Sequence, residues 1–278
     1  MTRTTVTKPV TTSATIPATT SAKATAASVA CTQQWIRRYH PKPERRITLV
    51  ALPHAGGSAS WFHPLSAALG DDIEVLAVQY PGRQDRRHEP LVADVAELAD
   101  RITRALLPWA GPVALFGHSM GATVAYEVAR RLERGGSPVA SLIVSARRAP
   151  SVVRGDVFHE LSDDDLLAEV GALGGSDAAL ALDAELMRLT LPVLRNDFRA
   201  VANYRCTHTE PLSSGITALV GKSDPRVTVG EVEEWRRHTA GEFSLHEFDG
   251  GHFYLAEHSA AVMSLLRTKL SPHMSKDA

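Results

Sequence analysis

Residues 113–122 read VALFGHSMGA, and more can be inferred from them than from any other part of the sequence. The first four residues are apolar, as in a short buried strand, and apolar residues at helical spacing then continue to Leu132. Between them, residues 117–121 form the pattern G-x-S-x-G in a strand–turn–helix context. Such a turn is strained and projects its serine hydroxyl above the sheet, and glycines avoid collisions with neighbouring backbone. We predict that Ser119 is a nucleophile. The alternative is a tight turn without chemistry.

Strands and helices alternate on both sides of this turn. Runs of apolar and β-branched residues predict strands at 47–51, 73–79, 113–116, 142–145, 216–220 and 243–248. Apolar residues at helical spacing predict helices at 92–107, 122–132, 229–238 and 260–269. Such alternation requires crossover connections and therefore a mostly parallel sheet. With the serine turn after a strand, it predicts an α/β-hydrolase fold, in which helices flank the sheet.

One long segment, residues 151–212, breaks this alternation because it contains helical patterns and no good strand. The helical patterns lie at 161–173, where Ser162 is a candidate N-cap, at 178–189 and at 194–204. A helical insertion of this length in an α/β sheet is most simply a lid over the active face. We therefore predict one domain over residues 47–270 with a lid at about 151–212, followed by a C-terminal tail at 271–278.

The N-terminal residues 1–46 differ in composition from the rest. The chain of 278 residues has a formal net charge of −1, but this segment holds eight basic residues against one acid, Glu44. Its net charge of +7 leaves −8 for residues 47–278. Up to Thr32 the segment is rich in Thr, Ala and Ser and shows no periodicity, which predicts disorder. We expect residues 1–46 to be a disordered, basic extension. An organelle transit peptide is disfavoured, because a clear amphipathic arginine face is lacking.

The remaining composition excludes several classes of protein. No run of 18 apolar residues is present, so no membrane-spanning helix is expected. Cys31 and Cys206 are the only cysteines, too few for a disulfide framework or a cysteine-rich metal site. They fit a reducing compartment, and we expect a cytoplasmic protein without a bound metal. The near-zero net charge argues against a nucleic-acid partner.

Ser119 requires a base, and the base requires an orienting acid. In the α/β-hydrolase order the acid follows the serine and a histidine comes last. His252 directly follows the last predicted strand, and Asp224 follows the strand at 216–220, so both lie where carboxyl ends of strands assemble sites. Asp249 is a rival acid, but it is only three residues from His252 and we expect it to cap the turn. The predicted triad is Ser119, Asp224 and His252.

An oxyanion hole needs backbone N–H groups aimed at the developing negative charge. Met120, the residue after the nucleophile, would supply one donor. Ala55 would supply the other, from the glycine-rich loop PHAGGS at residues 53–58 after the first predicted strand. The alternative is a tight strand-to-helix turn without a catalytic part. We expect His54 to form a wall of the site, because its position in chain order does not suit the base.

Several motifs, in order along residues 47–270, are similar to those of a known family. They are LPHAGGSA at 52–59, YPGR at 80–83 with EP at 89–90, FGHSMGA at 116–122, LPVLRNDF at 191–198 and GGHFYL at 250–255. In these motifs the chain resembles the type II thioesterases, which are stand-alone hydrolases encoded beside modular polyketide synthases and non-ribosomal peptide synthetases. It departs from the family at Gln84, where glycine is expected, and at Asn196, where alanine is usual.

The resemblance implies a stand-alone serine thioesterase that hydrolyses acyl thioesters and clears stalled or wrongly primed chains. Its partners would be acyl or peptidyl carrier proteins, which hold the substrate on phosphopantetheine, and the enzyme itself would need no cofactor. We expect a monomer. Carrier proteins are generally acidic, and several arginines are expected near the mouth of the site: Arg83, Arg86, Arg87, Arg147 and Arg148. The alternative for these arginines is a solvated basic rim.

Other functions could use the same triad. A small-molecule carboxylesterase would share it, and so would an acyltransferase that passes the acyl group to an alcohol or amine. A non-catalytic hydrolase fold that serves as a binding module is disfavoured, because such proteins usually lose the nucleophile or the histidine. Apolar lid residues could line an acyl chamber or form the core of the lid: Phe158, Leu166, Leu167 and Leu194.

Overall fold

A single seven-stranded sheet forms the centre of the protein. The computed structural model describes residues 33–109, 111–155, 157–174 and 184–274. The strands are β1 (Ile36–Arg37), β2 (Ile47–Leu52), β3 (Ile73–Val78), β4 (Val113–His118), β5 (Ser141–Ser145), β6 (Ile216–Gly221) and β7 (Phe243–Phe248). They lie in the order β1-β3-β2-β4-β5-β6-β7, and all neighbours are parallel except β1 and β3. The predicted α/β fold with a mostly parallel sheet is confirmed.

Helices cover both faces of this sheet. The described helices are α1 (His63–Ala68), α2 (Val95–Leu106), α3 (Met120–Arg134), α4 (Asp163–Ala172), α5 (Ala184–Asn203), α6 (Val229–Glu233), α7 (Tyr254–Glu257) and α8 (Ser259–Leu270). Every residue of β2 is buried, as in parallel strands enclosed on two sides. Val50 and Leu52 share one core with α2 and α3, whereas Leu49 and Ala51 share the other with α8. The alternation of side chains along β2 therefore divides the core into two layers.

The ends of most elements lie within two residues of those predicted. The first helix after β3 is an exception, since α2 begins three residues later than its apolar spacing suggests. Asp94 explains this start, because its Oδ1 atom accepts a hydrogen bond from the Glu97 N–H at 2.8 Å and so caps the helix. The predicted helix at 229–238 consists of α6 followed by a 3₁₀ segment, Glu234–His238.

The inserted segment is helical where it is described. Ser162 caps α4, as predicted, by accepting a hydrogen bond from the Asp165 N–H. The prediction of separate helices at 178–189 and 194–204 is wrong, because α5 runs without a break through Pro192. A proline removes one backbone hydrogen bond, but the helix continues past it, and Leu191 and Leu194 on either side of it are buried. Residues 175–183 lie outside the described residues.

The boundary predicted at residue 46 is also wrong. Trp35 and Ile36 are buried in the core, and β1 pairs with β3 through Ile36 and Val78. Arginines in this segment reach acids of the domain: both Arg38 and Arg45 pair with the buried carboxylate of Glu74, at 2.6 and 3.1 Å. The positive charge that suggested a separate extension is thus partly neutralised within the fold. The prediction for residues 1–32 falls outside the described residues.

Two further sequence expectations concern the C-terminal tail and membrane-spanning helices. The C-terminal tail predicted at 271–278 begins as a 3₁₀ turn, Ser271–His273, and residues 275–278 lie outside the described part. Within the described ranges, none of the helices has the length and apolar character needed to cross a membrane.

Candidate active site

The turn between β4 and α3 holds Ser119 in unusual backbone. Its φ angle is +53°, in the left-handed region that residues with side chains rarely adopt, and its N–H donates to the Ser145 carbonyl at 2.8 Å. A Cβ atom on Gly117 would lie 2.2 Å from the Gly121 carbonyl oxygen, and one on Gly121 would lie 2.1 Å from that of Leu52. Both glycines are therefore required sterically, and the strained geometry matches a nucleophile elbow.

His252 and Asp224, the predicted base and acid, are in direct contact. Asp224 follows β6 and His252 follows β7, and the His252 Nδ1 atom lies 2.8 Å from Asp224 Oδ2. The two side chains are only 5% and 0% exposed, so water does not compete for this bond. The other carboxylate oxygen of Asp224 accepts the Arg226 N–H at 2.8 Å. With Nδ1 engaged in this way, Nε2 is the nitrogen of His252 that remains for chemistry.

Asp249, the rival acid, has a different partner. Its carboxylate is exposed and lies 2.9 Å from Lys222 Nζ. The hydrogen bond and the charge of Lys222 lower the pKa of Asp249. The expectation that this side chain caps the turn is therefore wrong, since it forms a surface ion pair instead. The geometry favours Asp224 over Asp249 as the acid that orients His252.

A cavity of about 160 Å³ brings most of the predicted site residues together. One wall contains Ser119, Met120, Ala55 and His252. Another part of the lining comes from the inserted segment and includes Phe158, Val170, Leu194 and Phe198. Asp224 lies behind His252 and does not line the cavity. Of the lid residues proposed for an acyl chamber, Phe158 and Leu194 line this space, whereas Leu166 is fully buried within the lid. The role of Ala55 and Met120 as oxyanion donors stays a prediction.

His54 forms part of the cavity wall, as expected from its place in the sequence. Its ring packs edge-on against Trp61 and Phe253, with centroids 5.1 and 4.9 Å away. Burial, reinforced by the nearby His252 and Arg83, lowers the pKa of His54 to about 3. His54 is therefore neutral at physiological pH and adds no positive charge beside His252.

A second neutral histidine lies within the serine turn and was missed by sequence reasoning. His118 Nδ1 lies 2.9 Å from Ser145 Oγ, which in turn lies 2.7 Å from the Tyr254 hydroxyl. Burial is the main cause that lowers the pKa of His118 well below its ordinary value, followed by the proximity of His252. The only sequence signals were the histidine of GHSMG and the tyrosine of GGHFYL. This network connects β4, β5 and α7 beneath the nucleophile.

The basic rim expected at the mouth is only partly present. Arg83 and Arg86 are buried, where Arg83 pairs with Asp197, and Arg86 pairs with Glu89 at 2.6 Å. Arg148 is buried as well. Arg87 is exposed, and Arg147 lines the cavity together with Arg148. The expectation that all five arginines face an approaching partner is therefore wrong. Arg83 is paired with Asp197, which lies far along the chain, and Arg86 with the nearby Glu89.

Both departures from the family pattern have a structural account. Gln84 adopts a φ of +47°, the left-handed conformation for which glycine is best suited, and its side-chain amide donates to Ser60 Oγ at 2.7 Å. Asn196 donates from Nδ2 to the Val92 carbonyl at 2.9 Å. Each polar side chain therefore forms a specific hydrogen bond outside the predicted triad.

Among the described residues, no group of three or more His, Cys, Asp or Glu side chains is placed to hold a metal ion. What the site does offer is a strained serine, a histidine oriented by a buried carboxylate and an apolar wall. These groups suit nucleophilic attack on an acyl carbonyl followed by hydrolysis.

Comparison with known proteins agrees with this chemistry. The family described as "Thioesterase domain" matches residues 47–270. The "Probable cadicidin biosynthesis thioesterase" of Streptomyces griseus is 47% identical over 246 residues, which cover 88% of this chain and 68% of that protein. "Thioesterase PikA5" of Streptomyces venezuelae is 50% identical over 224 residues, 80% of each chain.

Two solved structures that are similar to this chain are also thioesterases. The type II thioesterase BorB from the borrelidin biosynthetic cluster superposes with a TM-score of 0.79 at 46% identity, over 87% of this chain and 98% of the other. YbtT, a type II thioesterase from the yersiniabactin pathway, gives a TM-score of 0.78 at 30% identity, over 87% and 100% of the two chains.

Proposed function

This chain belongs to the thioesterase family and is a hydrolase of thioesters, and from that premise we propose that it releases acyl groups from the phosphopantetheine arm of carrier proteins in polyketide or non-ribosomal peptide synthesis. The observation that carries the proposal is the buried His252–Asp224 pair beside Ser119, in a cavity with an apolar wall. The catalytic residues would be Ser119 as nucleophile, His252 as base and Asp224 as orienting acid.

In the first half of the reaction, Ser119 Oγ attacks the thioester carbonyl while His252 Nε2 takes the hydroxyl proton. The bond from Nδ1 to Asp224 stabilises the resulting imidazolium. The N–H groups of Ala55 and Met120 would hold the oxyanion. Collapse of this intermediate breaks the carbon–sulfur bond and leaves an acyl-serine. The departing thiolate receives the proton from His252.

In the second half, His252 removes a proton from water, which attacks the acyl-serine. The tetrahedral intermediate then releases Ser119, to which His252 returns the proton, and the free acid leaves. A thiol leaves more readily than an amine, so the leaving group needs little assistance. These steps require no cofactor in the enzyme. Cys206 forms no disulfide bond with any described residue, which suits a reducing compartment such as the cytoplasm, where we infer that the enzyme works. We also infer that it works as a monomer.

A groove lined by arginines supports a proposal for the side from which a carrier protein approaches. Arg147 and Arg148 line the main cavity and also an adjoining groove, together with Arg154 and Arg205. A basic groove of this kind would attract an acidic carrier and raise the rate of encounter. Arg205 is exposed, just beyond the end of α5, and donates to the backbone carbonyls of Ala202 and Tyr204, so it can be changed without disturbing the core.

Charge reversal tests this docking side. Arg205→Glu should raise KM for an acyl-carrier substrate several-fold and leave hydrolysis of the small thioester propionyl-N-acetylcysteamine unchanged. Arg104→Glu on α2 is the matched control, since Arg104 is also exposed and also donates to a backbone carbonyl close to it in the chain. Equal effects of the two variants on the carrier substrate would refute docking at this groove.

The proposed function itself is tested by intact-mass measurement of a carrier protein loaded with acyl groups, before and after exposure to the enzyme. The wild type should return the free phosphopantetheine form, and Ser119→Ala should not. Wild-type rates in Ser119→Ala would overturn the proposal. Preferred hydrolysis of oxygen esters would indicate a carboxylesterase, and transfer to an added alcohol or amine would indicate an acyltransferase; either result would also overturn it.

A further inference from the structure

A buried ion pair connects the inserted segment to the loop at residues 53–58. Asp197 on α5 and Arg83 after β3 form this pair, and their side chains are 1% and 6% exposed. Asp197 Oδ2 also accepts the N–H of Gly56 at 2.8 Å. Arg83 donates from Nε to the Gly57 carbonyl at 3.2 Å. The two charged groups therefore hold consecutive residues of the loop between them.

The hydrogen bond to Asp197 lies next to the predicted oxyanion donor Ala55. The N–H that Asp197 accepts belongs to the peptide group between Ala55 and Gly56, so the bond fixes the peptide plane that directly follows the predicted oxyanion donor. Gly56 has a φ of +76°, and a Cβ there would lie 2.5 Å from Leu194, one turn before Asp197 on α5. One turn of α5 thus restricts the loop both by contact and by a hydrogen bond.

Stability alone gives little reason for this arrangement. Removing two charges from water is costly, and a buried ion pair can often be replaced by apolar side chains without loss of stability. An oxyanion hole, by contrast, is effective only when its donors are held in place before charge develops. A buried carboxylate that orients the peptide adjacent to Ala55 meets that need.

We propose that Asp197, supported by Arg83, is a positioning residue that holds the loop at 53–58 in the conformation required for oxyanion binding. This inference rests on the proposed function, because it assumes that Ala55 donates to the oxyanion. Both acylation and deacylation pass through a tetrahedral oxyanion. Loss of the positioning contact therefore lowers kcat whichever step limits the rate.

The principal variant is Asp197→Asn, which keeps an oxygen for the Gly56 N–H but removes the charge that holds Arg83. Misplacement of a reacting group by about 1 Å can cost about 10²-fold in rate, so we expect kcat to fall about 10- to 100-fold, with KM changed less than about three-fold. The substrate is propionyl-N-acetylcysteamine, which avoids any contribution from carrier docking. Arg83→Lys keeps the positive charge but loses the planar guanidinium, whose several N–H donors have a fixed geometry. This variant should lower kcat about 10-fold.

The control is Asp163→Asn. Asp163 also pairs with an arginine of α5, Arg195, at 2.6 Å, but it lies 67% exposed on the lid and is not bonded to the 53–58 loop. This variant removes the same charge from the same insertion and should leave kcat within about two-fold of wild type.

A further readout separates positioning from a merely structural role. The trifluoromethyl ketone analogue of the propionyl thioester forms a tetrahedral adduct with an active serine, and its inhibition constant should rise in Asp197→Asn by about the factor by which kcat falls. Affinity for the intact thioester, measured in the Ser119→Ala background, should not change. An unchanged inhibition constant, or an effect on KM alone, would overturn the positioning role.

The two proposals fail in distinguishable ways. Wild type and Ser119→Ala alone report whether thioesters are cleaved through the serine. Asp197→Asn against Asp163→Asn reports the role of the ion pair in the active enzyme. If Asp197→Asn does not fold, the same kinetic and inhibitor measurements are made on Arg83→Lys. An unchanged kcat and an unchanged inhibition constant in that variant would equally overturn the positioning role.

Discussion

Replacing Asp224 with asparagine tests the assignment of the triad most directly. The bond to His252 spans 2.8 Å between side chains that are almost fully buried, and a hydrogen bond to a charged group of this kind contributes about 1.5–3 kcal/mol. Loss of that amount lowers the rate about 10- to 150-fold. The second oxygen of Asp224 adds a further effect, because it accepts the Arg226 N–H.

In Asp224→Asn, the amide oxygen is expected to keep the bond to Arg226, which turns the amide NH₂ towards His252 Nδ1. That nitrogen must then accept, so the proton moves to Nε2 and His252 can no longer take the proton of Ser119. The same change in a serine protease triad costs about 10⁴-fold in kcat. We therefore expect kcat to fall by between about 10² and 10⁴.

The assay is stopped-flow release of thiol from propionyl-N-acetylcysteamine, which follows formation of the acyl-enzyme, combined with steady-state turnover. Asp249→Asn is the matched control, because Asp249 lies three residues from His252 but pairs with Lys222 on the surface. It should stay within about two-fold of wild type. If Asp224→Asn kept more than a third of wild-type activity, or if Asp249→Asn had the larger defect, the assignment of the acid would be wrong.

Two further predictions concern stability. Trp35→Ala should lower the free energy of unfolding by about 3–5 kcal/mol in urea titrations, since Trp35 is 3% exposed in the core. The exposed Gln33→Ala serves as control, and a loss below about 1 kcal/mol for Trp35→Ala would show that this segment is not part of the folding unit. His54 has a pKa of about 3 in the folded protein and about 6.5 when unfolded, so the unfolded chain binds more protons and stability falls as the pH drops from 6.5 towards 3. His54→Gln should remove up to about 1.4 kcal/mol per pH unit from that slope, and an unchanged slope between pH 6.5 and 4.5 would contradict the buried neutral state.

The elements that could be predicted from sequence are those whose signal is local. β7 (Phe243–Phe248) has the predicted bounds, and α4 begins after the predicted cap Ser162. The serine turn could be recognised because residues 113–122 contain both an apolar pattern and two glycines, Gly117 and Gly121. Asp224 and His252 could be selected because chain order and the carboxyl ends of strands restrict the candidates.

The features that escaped prediction depend on partners distant in the chain. β1 has two residues and no pattern of its own, and it exists because β3 offers an edge. Arg83 resembled a surface residue until Asp197, 114 positions later, was placed beside it. Ser145 and Tyr254 are separated by 109 positions. No local pattern carries such information, since these pairings arise only when the sheet and the insertion pack together.

The contact between Asp197 and Gly56 has a consequence for protein engineering. An exchange of the whole insertion between related enzymes, intended to alter acyl preference, would also transplant the residue that holds the loop at 53–58. Grafts that lack an acid at this position should have a much lower kcat even when they fold. Exchange of residues 157–174 alone would alter the cavity through Phe158 and Val170 and leave Asp197 in place. The smaller graft is therefore the better unit for changing specificity.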